Sequence, residues 1–163
     1  MSITTRRFTG SDADFALKTT LWNKAWPEYY RTEKIHRHDE ETRNKEYYFI
    51  ELIIEQDGTP IGMGEYMDDW DTDIDDDYFF MLYIDPDADF QAAANAFMNA
   101  MNADVASRGG KTSGTIMLEN HEDRCQFLKD HGYTPAMREP RSELDVTSFD
   151  FSRYDWVLSL IHI

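Results

Sequence analysis

Hydrophobic and polar positions change period several times along the 163 residues, and each change marks an element. Ile3 to Phe8 alternates weakly and predicts an opening strand. Ser11 or Asp12 can cap the helix that follows, because a short side-chain oxygen accepts an orphan backbone N–H. Phe15, Leu17, Leu21, Trp22, Ala25 and Trp26 then recur at helical steps, a buried face that stops at Pro27. Thr32 to Lys45 is charged with a helical bias, which predicts a surface helix or an ordered loop. Tyr47 to Glu55 is β-branched and aromatic, and Asp57-Gly58-Thr59-Pro60 turns it into Ile61 to Met67, so this pair reads as a hairpin. Tyr78 to Ile84 is nearly all apolar and predicts a central strand covered on both faces. Phe90 to Ala106 shows a helical stripe of Phe90, Ala94, Phe97, Met98, Met101 and Val105, closed by Gly109-Gly110. Thr112 to Leu118 predicts a further strand. Asn120, with Asp123 three residues on, predicts a capped helix through His131 that Gly132 ends. One or two final strands are expected from Tyr133 onward.

The order β-α-(α)-β-β-β-α-β-α-β predicts an α/β (α+β) fold: a mixed, mostly antiparallel sheet with helices on its faces. Charge narrows the function. Sixteen Lys and Arg stand against 32 Asp and Glu, a formal net charge of −16. This excludes a nucleic-acid reader, which needs a basic face to displace counterions, and docking on anionic lipid. One cysteine excludes a disulfide framework and a thiolate zinc cluster. No apolar run reaches the length of a spanning helix and the N-terminus lacks a signal-peptide core, so a soluble, cytoplasmic domain is expected.

Four constellations carry little chemistry. Asp68 to Asp77 is dense in carboxylates, but counting from Asp69, Ile74 stands where a calcium loop needs Gly and Phe80 where it needs a bidentate Glu. A self-repelling hairpin tip is expected there. Gly110-Lys111-Thr112 follows a helix and precedes a strand, the reverse of a phosphate cradle. His36 and His38, two apart, share no helix face and are expected to be solvated, so no metal site is predicted. Cys125, on one face with Leu128, is expected to pack.

A fifth constellation is larger. A central strand ends at Leu82-Tyr83-Ile84-Asp85-Pro86, a helix begins at once, and Gly-Gly, a strand and Glu119-Asn120…Phe127-Leu128…Gly132-Tyr133 follow. This resembles the GNAT (acyl-CoA-dependent N-acetyltransferase) superfamily over Ile3 to about Val146, with motif-level detail in Tyr78 to Tyr133. The resemblance implies acetyl-CoA as cosubstrate, a small-molecule amine as acceptor, and cofactor contacts from Leu82, Tyr83, Ile84, Asp89, Phe90, Gln91, Ala92, Ala94 and Asn120. The strand edge would pair with the pantetheine arm, and helix N-terminal amides would hold pyrophosphate.

The sequence departs from that pattern at the loop. Asp89 replaces the basic or amide residue, and Ala92 and Ala94 replace both glycines; sliding by two gives Gln91-x-x-Ala94-x-Ala96 and disturbs the helical register. A carboxylate near pyrophosphate costs about 1–4 kcal/mol per charge pair at close range. Leu128 stands where many relatives carry a tyrosine general acid and cannot deliver a proton. Glu65 could act as a remote base, against the plainer expectation of a solvated strand face. Leu144 to Tyr154 resembles the connector of tandem, mycothiol-synthase-like members. Residues 1–146 are therefore expected to form an acetyltransferase domain, 147–157 the start of a connector to a second GNAT domain, and 158–163 an adapter-derived scar. The expected function is a degenerate N-acetyltransferase domain supporting a catalytic second domain, with no catalytic residue assigned. The alternative is a non-catalytic acidic scaffold for a cationic partner.

Overall fold

The computed structural model describes residues 2–68 and 77–139. Two compact units are distinguished, Met1–Tyr133 and Thr134–Ile163. In the first, the order is β1 (Ile3–Arg7), α1 (Asp12–Ala25), a single 3₁₀ turn (Pro27–Tyr29), α2 (Glu33–Thr42), β2 (Phe49–Gln56), β3 (Thr59–Asp68), β4 (Asp77–Ile84), α3 (Phe90–Ser107), β5 (Thr112–Gly114) and α4 (Glu122–Asp130). The five strands lie in sequence order; β1 to β4 are antiparallel neighbours, and β4 and β5 run parallel. The expected mixed, mostly antiparallel sheet with helices on its faces is the fold observed.

Local chemistry explains most boundaries. Ser11 caps α1, its side chain accepting from the Asp14 N–H at 3.2 Å, and Pro27 ends the helix. Asp57 (φ 49°) and Gly58 (φ 82°) both take the left-handed conformation that a two-residue hairpin turn demands. Register then sorts the faces. Leu52, Ile54, Tyr66, Phe80 and Ile84 point toward α3, whereas Ile53, Met63 and Tyr83 join Leu21, Ala25 and Trp26 of the α1 side. Gly64 is small for a reason: a Cβ there would collide with the Phe97 ring. β4 is covered on both faces, by α1 and α3, as its apolar run requires.

Four expectations need correction. The strand expected through Leu118 stops at Gly114, because the Thr115 hydroxyl takes the Phe80 carbonyl at 2.7 Å and the ladder goes no further. Asn120 does not cap α4; it is exposed in a turn, and His121 takes the cap position with no side-chain bond. Residues 134–139 carry no strand, and the rest of that segment lies outside the described residues, as do 69–76 of the acidic tip. His36 is not solvated. Thr32 caps α2, and the helix delivers that imidazole to the interior at 1% exposure, while His38 stays exposed.

Candidate active site between the split strands

Pairing between β4 and β5 covers only Asp77 to Phe79 and Thr112 to Gly114. Beyond it the strands part. Backbone direction alternates along a strand, so two bonds settle which groups face the gap. The Phe80 carbonyl accepts across the gap from Thr115, whereas the Asp85 N–H donates the other way, to the Ile61 carbonyl at 2.9 Å. Leu82 and Ile84 share the Phe80 orientation and turn their N–H and C=O groups to the gap. Tyr83 does not: its backbone belongs to the β3 ladder, opposite Met63, and its side chain is buried on the α1 side. Of the three strand residues proposed to meet a cofactor, two present backbone to the opening.

The loop after β4 is tied down by its own acids. Asp85 accepts from Lys24 Nζ at 2.6 Å and from the Asp87 N–H at 3.1 Å, and Lys24 holds its carboxyl below the usual range. Asp89 caps α3, its carboxylate accepting from the Ala92 N–H at 3.1 Å. One of the amides that a bound anion would use is thereby engaged internally. Phe90 packs on Phe127 with centroids 5.5 Å apart, Gln91 is exposed, Ala92 half-buried and Ala94 fully buried. Ala94 faces the core, and Asn120 lies exposed in the turn before α4.

The α1 side of the sheet holds a polar group that the sequence did not disclose. Glu51 and Glu65 stand directly opposite each other on β2 and β3, and the Lys18 ammonium bonds to Glu51 and lies 3.5 Å from Glu65. Glu65 is therefore no solvated strand face. Burial acts to lower the Lys18 pKa, and the two carboxylates more than reverse it; burial pushes the Glu51 carboxyl up. With all three ionised, the cluster carries one surplus negative charge. Burial, with Glu65 and Glu51 adding to it, raises the Tyr83 phenol well above its usual range. Trp22 contacts both Tyr83 (4.8 Å) and His36 (5.6 Å), and Arg31 lies over the Trp22 ring. Both His36 nitrogens are buried without a hydrogen-bond partner among the described residues, and burial, reinforced by Lys18 and Arg31, pushes the imidazole down to about 4.

Sequence reasoning placed Trp26 on a buried face but did not bring it together with His121 and Arg124, which it meets beside the gap. The Trp26 ring lies 5.4 Å from His121 and 5.4 Å from the Arg124 guanidinium. A signal existed in Arg124, three residues before buried Phe127 and hence on the inward face of α4. Leu128 packs against the main core, and the Cys125 thiol points to the Leu118 carbonyl at 3.6 Å. No group of three or more potential metal ligands occurs among the described residues. None of the helices among them is long and apolar enough to cross a membrane.

The split sheet beside a helix start is the candidate site, and comparison gives the family. The acetyltransferase (GNAT) family matches residues 15–133, and the chain belongs to it. Among solved structures, the fold is similar to the aminoglycoside N-acetyltransferase AAC(6′)-Iy with a bisubstrate CoA analogue (TM-score 0.68, 13% identity, 88% of this chain and 99% of that one). It is also similar to an N-acetyltransferase from Staphylococcus aureus Mu50 (0.69, 12%, 84% and 86%). A Salmonella typhimurium protein with its cofactor acetyl-CoA matches similarly (0.66, 14%, 90% and 87%). No curated protein matches at the sequence level. Identities this low speak for the fold alone.

Proposed function

We propose that this domain transfers an acetyl group from acetyl-CoA to an amine, with a cofactor grip weakened at the β4–α3 loop. The observation that carries the reading is the open edge of β4, where Leu82 and Ile84 turn backbone donors and acceptors to a gap that β5 does not fill. An extended pantetheine arm suits such an edge, since it can pair like an added strand. The residues fit the cofactor at the strand and fit it poorly at the loop, where the Asp89 carboxylate occupies an amide and repels phosphate.

When bound, acetyl-CoA supplies the activated acetyl group. The chain would orient it through the β4 backbone; as the C–N bond to the amine forms and the thioester C–S bond breaks, the proton the amine loses would balance the departing thiolate. Glu65 stands one strand away, with Tyr83 between it and the gap and Lys18 fixing the carboxylate, so a proton reaches it only by relay. The surplus negative charge of the cluster favours an amine arriving as a cation. A second domain beyond residues 147–157, with this one supporting it, belongs to the same reading and rests on the connector-like sequence.

Titration calorimetry with acetyl-CoA and desulfo-CoA tests the proposal. Binding that Asp89→Arg strengthens supports a weakened cofactor site. Absence of heat at millimolar ligand leaves the scaffold reading, which the engaged helix terminus favours.

A further inference from the structure

Arg124 is out of place in this protein. Acids outnumber bases two to one, 32 against 16. Arg6, Lys18, Lys24, Arg31, Arg37 and Arg43 each meet a carboxylate. Arg124 forms no ion pair among the described residues, although it is only half exposed; Asp123 and Glu28 act on it from farther away. Its guanidinium instead lies between two rings, 5.4 Å from Trp26 and 5.5 Å from Phe90, the first residue of α3. Burial lowers its pKa from the usual arginine value, the mark of a cation short of counter-charge.

A second observation comes from another group. Trp26 is 9% exposed, and its indole N–H is buried with no acceptor among the described residues. The Nδ1 of His121, whose ring contacts Trp26, is likewise buried and unpartnered. Buried donors without acceptors are costly and are kept where a ligand supplies the acceptor. The Trp26 indole, just past the end of α1, and the Arg124 guanidinium of α4 therefore meet beside the start of α3, where Asp89 has spoiled the loop.

We infer that Arg124, aided by the Trp26 N–H, is the phosphate-binding side chain of this groove, so that α4 takes over the charged contact the β4–α3 loop has lost. This rests on the acetyl-CoA reading for the source of the phosphate. The rings orient the planar guanidinium, which can then offer two parallel N–H donors to phosphoryl oxygens.

Calorimetry with acetyl-CoA and its 3′-dephospho form, and phosphorus NMR with inorganic pyrophosphate, test it on the wild type, Arg124→Met and Arg124→Lys. Arg124→Met is expected to weaken acetyl-CoA by about tenfold or more and abolish pyrophosphate broadening, with Arg124→Lys between. An equal loss with the 3′-dephospho form assigns the pyrophosphate, and a loss confined to acetyl-CoA assigns the 3′-phosphate; both support the inference. A folded Arg124→Met that binds acetyl-CoA as tightly as wild type overturns it and leaves the cofactor reading standing. Pyrophosphate binding without acetyl-CoA binding keeps Arg124 as the anion ligand and overturns the cofactor reading. A wild type that binds neither overturns both.

Discussion

The two faces of this sheet are built on different chemistry. Toward α3, Leu52, Ile54, Phe80 and Ile84 close on Ala93, Ala94, Phe97 and Met101, and the polar groups of that side lie at its rim. There Asp104 accepts from Tyr48 and Tyr66, at 2.5 and 2.9 Å, and ties α3 to the sheet. Toward α1 and α2, the interior admits Lys18, Glu51 and His36 among tryptophans. A protein core gains from apolar burial and loses by taking in charge. The α3 face is therefore the plainly stabilising one, and the α1 face, apolar at Leu21, Ile53 and Met63, also carries the cost of buried charge.

Substitutions sharpen that contrast. Phe97→Ala empties a fully buried ring site against Gly64 and is expected to cost about 3–5 kcal/mol in urea unfolding. Lys18→Met leaves Glu51 and Glu65 facing each other in a largely buried site, an expected cost of about 3 kcal/mol. Adding Glu51→Gln and Glu65→Gln should recover most of that loss; if it does not, the cluster is mere packing.

His36 gives a pH-dependent test. Its imidazole binds a proton more weakly folded (about 4) than at the ordinary 6.5. Its stabilising contribution is therefore complete above pH 6.5 and declines as pH falls toward 4. Between pH 7 and 5, wild type should lose about 2 kcal/mol more than His36→Phe in parallel urea titrations. Equal losses would place the imidazole in water. The smallest effect belongs to the loop: Asp89→Ala removes a helix cap worth about 1 kcal/mol by thermal unfolding, while acetyl-CoA binding should tighten.

The α3 face was legible in the sequence because periodicity reports apolar positions. The stripe from Phe90 to Val105 and the run Tyr78 to Ile84 correspond to α3 and β4 within a residue or so. The α1 face was not legible, for the same reason. Lys18, His36 and Glu51 are polar letters on charged or mixed segments, and burial came to them from tertiary partners. Lys18 did carry a hint, lying three residues from both Phe15 and Leu21 on the inward stripe. The gap was obscured because Thr115 to Leu118 has strand-like residues, and only the Thr115 hydroxyl, by taking the Phe80 carbonyl, reveals that pairing ends. The motif pointed to the β4–α3 junction, but no local pattern could show that Tyr83 turns away from the opening while Leu82 and Ile84 turn toward it.

The central claim is that this edge of β4 receives acetyl-CoA, and amide hydrogen exchange reads it directly. Residue-resolved exchange should show slowed exchange at Leu82 and Ile84 on adding acetyl-CoA, while Tyr83, already in the β3 ladder, stays unchanged. Unaltered exchange at Leu82 and Ile84 with millimolar acetyl-CoA present would contradict the account.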